Sequence, residues 1–389
     1  MADGPGPSLR RAGADLRLTR IVLAAFAAYA LIYAVTWAAG FSGINDFFVF
    51  WSAAQWLGER GLAPGIYDPE AFRVFQTGLV AETADAYRPF AYPPTGLALM
   101  APLAALSLVP ALVLFMAASF AFYLAIAAWA RGSAAVSLAA APASLMNLVV
   151  GQNGFLTAGL LYGGLNLANR RPWVAGLLIA LLASKPQLGL LVPVALLAAR
   201  QWTCFVAASV LTLAFIGGTV LLGGVEIWSA WLNLLPDFAA NTAANADSAS
   251  QLMVSPPAVF LTLGLPYEAA RLLHLPIALG AGVTVWHMCR RFGLTPLSIA
   301  GVLAASLLVT PFAYFYDLTI AAVAVMIVAA EALKGGFMKG EKFVLLLSWV
   351  APLMAVADLP LSWVAPLALT LLLWVIWRRL NATPAARIP

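Results

Sequence analysis

"AGLLIALLASKPQLGLLVPVALLAARQW", residues 175–202, decides the fold class. Between Ala175 and Ala199 a single charge, Lys185, interrupts apolar sequence. The two flanks read as membrane spans, 173–184 and 187–199, bounded by Arg170 and Arg171 before them and Arg200 after them. A lysine inside such sequence is costly in a bilayer and is usually there for function. The other reading is a lysine at a helix end whose stem snorkels to the interface.

The remainder of the chain agrees. Of 389 residues, 63% are hydrophobic and 10% charged, whereas soluble domains carry about a quarter charged residues. A soluble globular protein is therefore excluded. A crossing takes ~20 apolar residues, so the expectation is an all-α polytopic membrane protein, a bundle of about 11–13 transmembrane helices. Further spans read at 21–41, 94–107, 110–130, 203–222, 257–265, 268–289, 296–310, 318–333, 343–357 and 361–377. Region 132–168 is broken at Gly151-Gln152-Asn153-Gly154. Two full crossings there would put Arg170 and Arg171 on the wrong side, so one crossing made of two half-helices is expected. Broken helices occur where protein or water can satisfy the freed backbone, so Gln152 and Asn153 are expected to line a cavity.

Basic clusters mark the cytoplasmic side. They fall in a tail over 1–20, at Arg170 and Arg171, at Arg200, at Arg290 and Arg291, at Lys334, Lys339 and Lys342, and in a tail over 378–389. The net charge of +5 is thus a matter of topology and not of nucleic-acid binding. The run 21–41 exceeds the ~7–15-residue apolar core of a signal peptide and reads as an uncleaved first span. Residues 21–377 form one expected transmembrane domain with two external loops. Loop 42–93 carries short amphipathic stretches read as interfacial helices, and loop 223–255 holds Glu226, Asp237 and Asp247 without a base. Cys204 and Cys289 lie in apolar runs, and His274 and His287 lie outside any HExxH pattern. No disulfide framework or zinc site is expected.

Several polar residues stand out against this background, most with more than one reading. Asp46 follows the first span among Phe47, Phe48, Phe50 and Trp51, either as an interfacial charge in an aromatic belt or as a working acid. Gln152 and Asn153 either break a helix or bond sugar hydroxyls. Asp317, beside Tyr314 and Tyr316, is a helix cap, an acceptor-orienting acid or the partner of Lys185. Arg88 is a phosphate contact or a salt-bridge partner. Tyr67, Asp68 and Tyr92 read first as residues that fix the loop.

The order of motifs carries more than any one of them. Asp46 is followed by the small residues Ser52, Ala53 and Ala54, by "GIYD" ending at Asp68, by "YPP" at Tyr92–Pro94 and by Ala101-Pro102. Then come "GQNGFLTAGLL", the stretch around Lys185, and "TPFAYFYDLTI". Over roughly residues 20–335 the chain resembles glycosyltransferase family 87, the polyprenyl-phosphate-mannose-dependent mannosyltransferases and their bacterial relatives. The resemblance implies a GT-C architecture in which Asp46 is the catalytic base. It implies a polyprenyl-phosphate sugar donor, with mannose favoured, and an acceptor hydroxyl on a lipid-linked or cell-envelope glycan. Lys185 and Arg88 would contact the donor phosphate, because a fixed cation stabilises a leaving group that gains negative charge. Gln152, Asn153, Tyr92, Tyr316 and Asp317 would bind sugar or acceptor. The expected reaction is inverting, metal-independent and without a cofactor, on the external side of a bacterial inner membrane. Its partners are donor, acceptor and membrane lipids, with no nucleic acid. Some family members have histidine near the last motif; here Phe and Tyr stand there, so no histidine role transfers. A transporter or flippase of lipid-linked substrates is the rival reading, since buried charge and a broken helix also suit one.

Overall fold

The computed structural model describes residues 46–80, 87–130, 134–244, 252–356, 361 and 363–382. The first expected span, 21–41, lies outside them. The chain is 82% helical with no strands among the described residues, as an all-α polytopic protein should be. Helices α1 (Phe47–Arg60), α2 (Pro69–Leu79) and α3 (Pro94–Leu99) precede the first long helix, α4 (Leu108–Ala130). The chain continues through α5 (Ala134–Ala139), α6 (Pro142–Val150), α7 (Gly154–Leu167), α8 (Pro172–Leu181) and α9 (Leu191–Ala198). Then follow α10 (Trp202–Gly223), α11 (Glu226–Ala244), α12 (Pro256–Thr262), α13 (Tyr267–Phe292), α14 (Pro296–Val309), α15 (Leu318–Gly335), α16 (Glu341–Val356) and α17 (Val364–Ala382).

Proline punctuates this order. It occupies the first turn of α2, α3, α6, α8, α12 and α14, where its missing N–H costs no helical bond and its fixed φ suits the helix. The same residues divide apolar sequence that reads as continuous. The expected span 94–107 is in fact the six-residue α3 and a 3₁₀ turn at Ala101–Leu103. The expected span 257–265 is the seven-residue α12. Region 132–168 holds three helices, broken before Pro142 as well as at Gly151–Asn153. Loop 223–255 contains the 19-residue α11. The expected tail 378–389 begins inside α17, where Arg379 pairs with the fully buried Glu341.

Five described segments are long and apolar enough to cross a membrane: 108–130, 202–223, 267–292, 315–335 and 364–382. Helices α14 and α15 are enclosed along most of their length, whereas α10 and α13 turn Leu213, Leu221, Leu222 and Leu279 outward, as lipid-facing helices do.

The stretch around Lys185 folds back on itself. A Cβ placed on Gly176 of α8 would lie 2.7 Å from the Ala207 Cβ of α10. Each residue is near the start of its helix, so α8 and α10 begin at the same end of the bundle. Since α9 ends where α10 begins, the chain enters along 172–184, turns at Lys185 and returns along 186–198. Each arm has 13 residues, about 20 Å at 1.5 Å per residue, against ~30 Å of hydrocarbon. The two arms, read as spans from the sequence, are shorter than the five segments long enough to cross, and 3₁₀ turns flank Lys185 on both sides. The 14-residue α7 and α14 are similarly short. Their inner ends, the Lys185 turn and the start of α15 meet at one level.

Candidate active site

Asp46 sits at the N-cap position of α1, but its side chain does not cap the helix. Its Oδ2 instead accepts a hydrogen bond from Gln152 Nε2 at 3.2 Å. Helix α1 fixes the acid in place by burial. Phe47 and Phe48 are fully enclosed and Phe50 nearly so, with Phe47 and Phe50 each 5.6 Å from the Phe115 ring of α4. Trp51 Nε1 donates to the Leu106 carbonyl at 2.9 Å. The aromatics after Asp46 are therefore core residues, Phe47 and Phe50 packing on α4 and Phe48 on Trp51. They hold the acid at the edge of the packed bundle, where it remains partly exposed.

The turn that delivers Gln152 depends on Gly151 and Asn147. Gly151 takes φ 70, left-handed backbone that glycine adopts without a Cβ penalty. The Asn147 carbonyl accepts from Gly151 N at 3.1 Å and from Gln152 N at 3.3 Å, and its Oδ1 accepts from Gly154 N at 3.0 Å. Gly154 has no room for a side chain. A Cβ there would overlap the Tyr316 carbonyl oxygen and lie 2.7 Å from Asn147 Oδ1. Thr319 Oγ1 closes the contact with hydrogen bonds to both the Gly154 and Tyr316 carbonyls, each 3.0 Å. Asn153 is buried, and its Oδ1 has no partner; neither has the Nδ2 of Asn147. Buried polar atoms are nearly always paired, so these two are unsatisfied positions on the turn that carries Gln152.

Tyr92 joins the group from the other side. Its hydroxyl donates to Gln152 Oε1 at 3.4 Å, and its carbonyl accepts from Tyr67 Oη at 2.9 Å. Burial, with the negative charge of Asp317 and Asp46 adding to it, raises the Tyr92 phenol well above its ordinary value. It therefore stays a hydrogen-bond donor. Just beyond it, Thr95 Oγ1 donates to the Ala183 carbonyl at 2.8 Å. That bond ties the "YPP" motif to the Lys185 turn.

Lys185 is 3% exposed and Asp317 is fully buried. Their side chains meet at 2.6 Å, Nζ to Oδ1. The second oxygen of Asp317 accepts from Tyr314 N at 3.1 Å, so the acid closes the 315–317 turn and does not cap α15 through its side chain. The Tyr316 ring centroid lies 4.9 Å from Lys185 Nζ. An ammonium has three N–H donors; Asp317 takes one.

The structure thus brings Asp46, Gln152, Asn153, Tyr92, Tyr316, Asp317 and Lys185 into one contiguous polar group inside an apolar bundle. Arg88 is the exception. Its main chain exchanges two hydrogen bonds with Gln76 of α2, which also donates to Ser52 Oγ at 3.0 Å. Among the described residues no hydrogen bond or ion pair joins its guanidinium to the group. Asn147, Thr95 and Thr319 were not foreseen. Asn147 sits five residues before Gln152 on the broken helix, and that spacing is the only sequence signal it gave.

The model of glycosyltransferase family 87 matches residues 90–311, more than half of the chain. No curated protein and no solved structure matches it significantly.

Proposed function

The chain belongs to glycosyltransferase family 87, a membrane glycosyltransferase, and on that premise we propose that it moves a hexose, mannose favoured, from a polyprenyl-phosphate donor to a hydroxyl of a lipid-linked or cell-envelope glycan. In this reading Asp46 takes the proton of the acceptor hydroxyl as its oxygen attacks the sugar C1. The bond from C1 to the phosphate oxygen breaks, and its electron pair leaves with the lipid phosphate. One displacement inverts the anomeric carbon. Lys185 faces the growing phosphate charge with the N–H donors that Asp317 leaves free. Asn153 Oδ1 and the Tyr92 hydroxyl orient sugar hydroxyls. Neither a metal nor a cofactor enters this reading, and the site faces the exterior of a bacterial inner membrane.

The observation that supports it most is the linkage of one partly exposed carboxylate to one buried cation through Gln152, Tyr92 and the Gly154–Tyr316 contact. Arg88 stands apart from that linkage among the described residues.

The test uses purified protein with polyprenyl-phosphate-mannose and an extracted glycolipid acceptor. Release of polyprenyl phosphate is expected, and Asp46→Asn should cut it by about 10²–10⁴-fold, the usual weight of a general base. Near-normal turnover in that variant would remove Asp46 from the base role. Substrate flux across vesicles that persists in Asp46→Asn, without release of polyprenyl phosphate, would favour the transporter.

A further inference from the structure

At the end of the bundle opposite Asp46 lies a cavity of about 380 Å³, walled in part by Trp129, Tyr162, Asn166, Arg170, Leu294 and Lys334. We propose that it binds the phosphate of an anionic membrane lipid.

Four helices meet there: α4, α7 and α15 by their final turns and α14 by its first. Helix α7 has its Gly154 end against the Tyr316 carbonyl and its Asn166 end in this wall. The cavity therefore stands a helix length away from the acid and shares no residue with the candidate active site.

Helix dipoles and membrane topology explain why cations gather at this end. They do not explain a hollow whose wall combines two amide residues, Asn166 and Asn169, with two cations, Arg170 and Lys334. Arg170 is exposed, and among the described residues no carboxylate pairs with it. Lys334 shares Glu331 at 3.2 Å, with 69% of its own side chain still exposed. An arginine fork and amide N–H groups are the donors that suit phosphate oxygens. The volume lies within the range of small-molecule sites, ample for a phosphate and its glycerol.

The membrane setting decides between a lipid and a soluble phosphate. Trp129 is half exposed in the last turn of the spanning helix α4, the depth at which amphipathic rings sit among headgroups. Basic pockets between spanning helices are a recurrent way of holding anionic headgroups.

The experiment uses the full chain in nanodiscs of phosphatidylcholine with or without phosphatidylglycerol. Lipid retention is read by native mass spectrometry and thermal stability by the midpoint of unfolding. Phosphatidylglycerol should be retained preferentially and should raise the midpoint. Arg170→Gln with Lys334→Gln should weaken retention about tenfold or more while leaving the midpoint in pure phosphatidylcholine unchanged. A control removes the same charge from the same end outside the cavity, by Arg290→Gln with Arg291→Gln. Equal loss in that control would show diffuse surface attraction and overturn the proposal, as would undiminished retention in the cavity variant. If glycerol phosphate added to phosphatidylcholine discs protects as well as the lipid, the ligand is a soluble phosphate and the lipid assignment falls.

Discussion

Lys185 Nζ and Asp317 Oδ1 are 2.6 Å apart, although 132 positions of chain separate them. Each is buried, so each needs the other. Removing one partner of a buried pair costs about 3–5 kcal/mol, because the survivor keeps its desolvation penalty without its attraction. Asp317→Ala should therefore lower the unfolding midpoint in detergent sharply. Lys185→Met with Asp317→Leu should recover much of that loss and remain inactive. If the double variant turns over like wild type, the pair is only structural.

Gln152 links the acid to the tyrosine. Gln152→Leu removes the bond to Asp46 and the acceptor for Tyr92 together. A drop in kcat of about tenfold or more is expected, since misplacing a reacting group by an ångström is costly. Unchanged kcat under saturating donor would mean that Asp46 needs no such support.

The 151–154 turn tests backbone fit. Gly154→Ala puts a methyl group into the Tyr316 carbonyl and should lower both activity and the unfolding midpoint. Asn147→Ala leaves the buried Gly154 N–H without its partner, at a cost of about 1–3 kcal/mol, though Asn147 is assigned no contact with substrate. Stability assays and steady-state kinetics on both variants check this. A fully active Gly154→Ala would contradict the tight packing described.

Arg379→Ala provides the remote control. It strands Glu341, whose carboxylate the guanidinium grips between α17 and the start of α16. Stability should fall by about 3–5 kcal/mol while kcat at a permissive temperature stays normal.

What the sequence made legible was contrast. Lys185, Asp317, Gln152 and Asn153 stand out because each is polar where its neighbours are apolar. The partnership of Lys185 with Asp317 was one open reading among three, because pairing is a property of distance and not of local pattern. Asn147 and Thr319 stayed hidden for a related reason: a polar residue inside a helix tells nothing until its tertiary neighbour is known. An interfacial belt was one open reading of the aromatics after Asp46, because composition cannot distinguish a ring facing lipid from one packed on Phe115. The span over 94–107 was misread because apolar content hides the breaks at Pro94 and Pro102. Arg88 drew attention as an isolated base, yet its described role is to bond Gln76 through its backbone.

The shortness of the two arms around Lys185 has a last consequence. If their basic ends are anchored at one headgroup layer, the Lys185 turn stands about 20 Å above it, some 10 Å below the opposite surface of an average bilayer. Reacting groups would then work at a fixed depth, and acyl-chain length would decide how far a polar acceptor must descend. Thin bilayers would then bring water closer to Lys185 and thick ones would submerge it, the two extremes of hydrophobic mismatch for arms of this length.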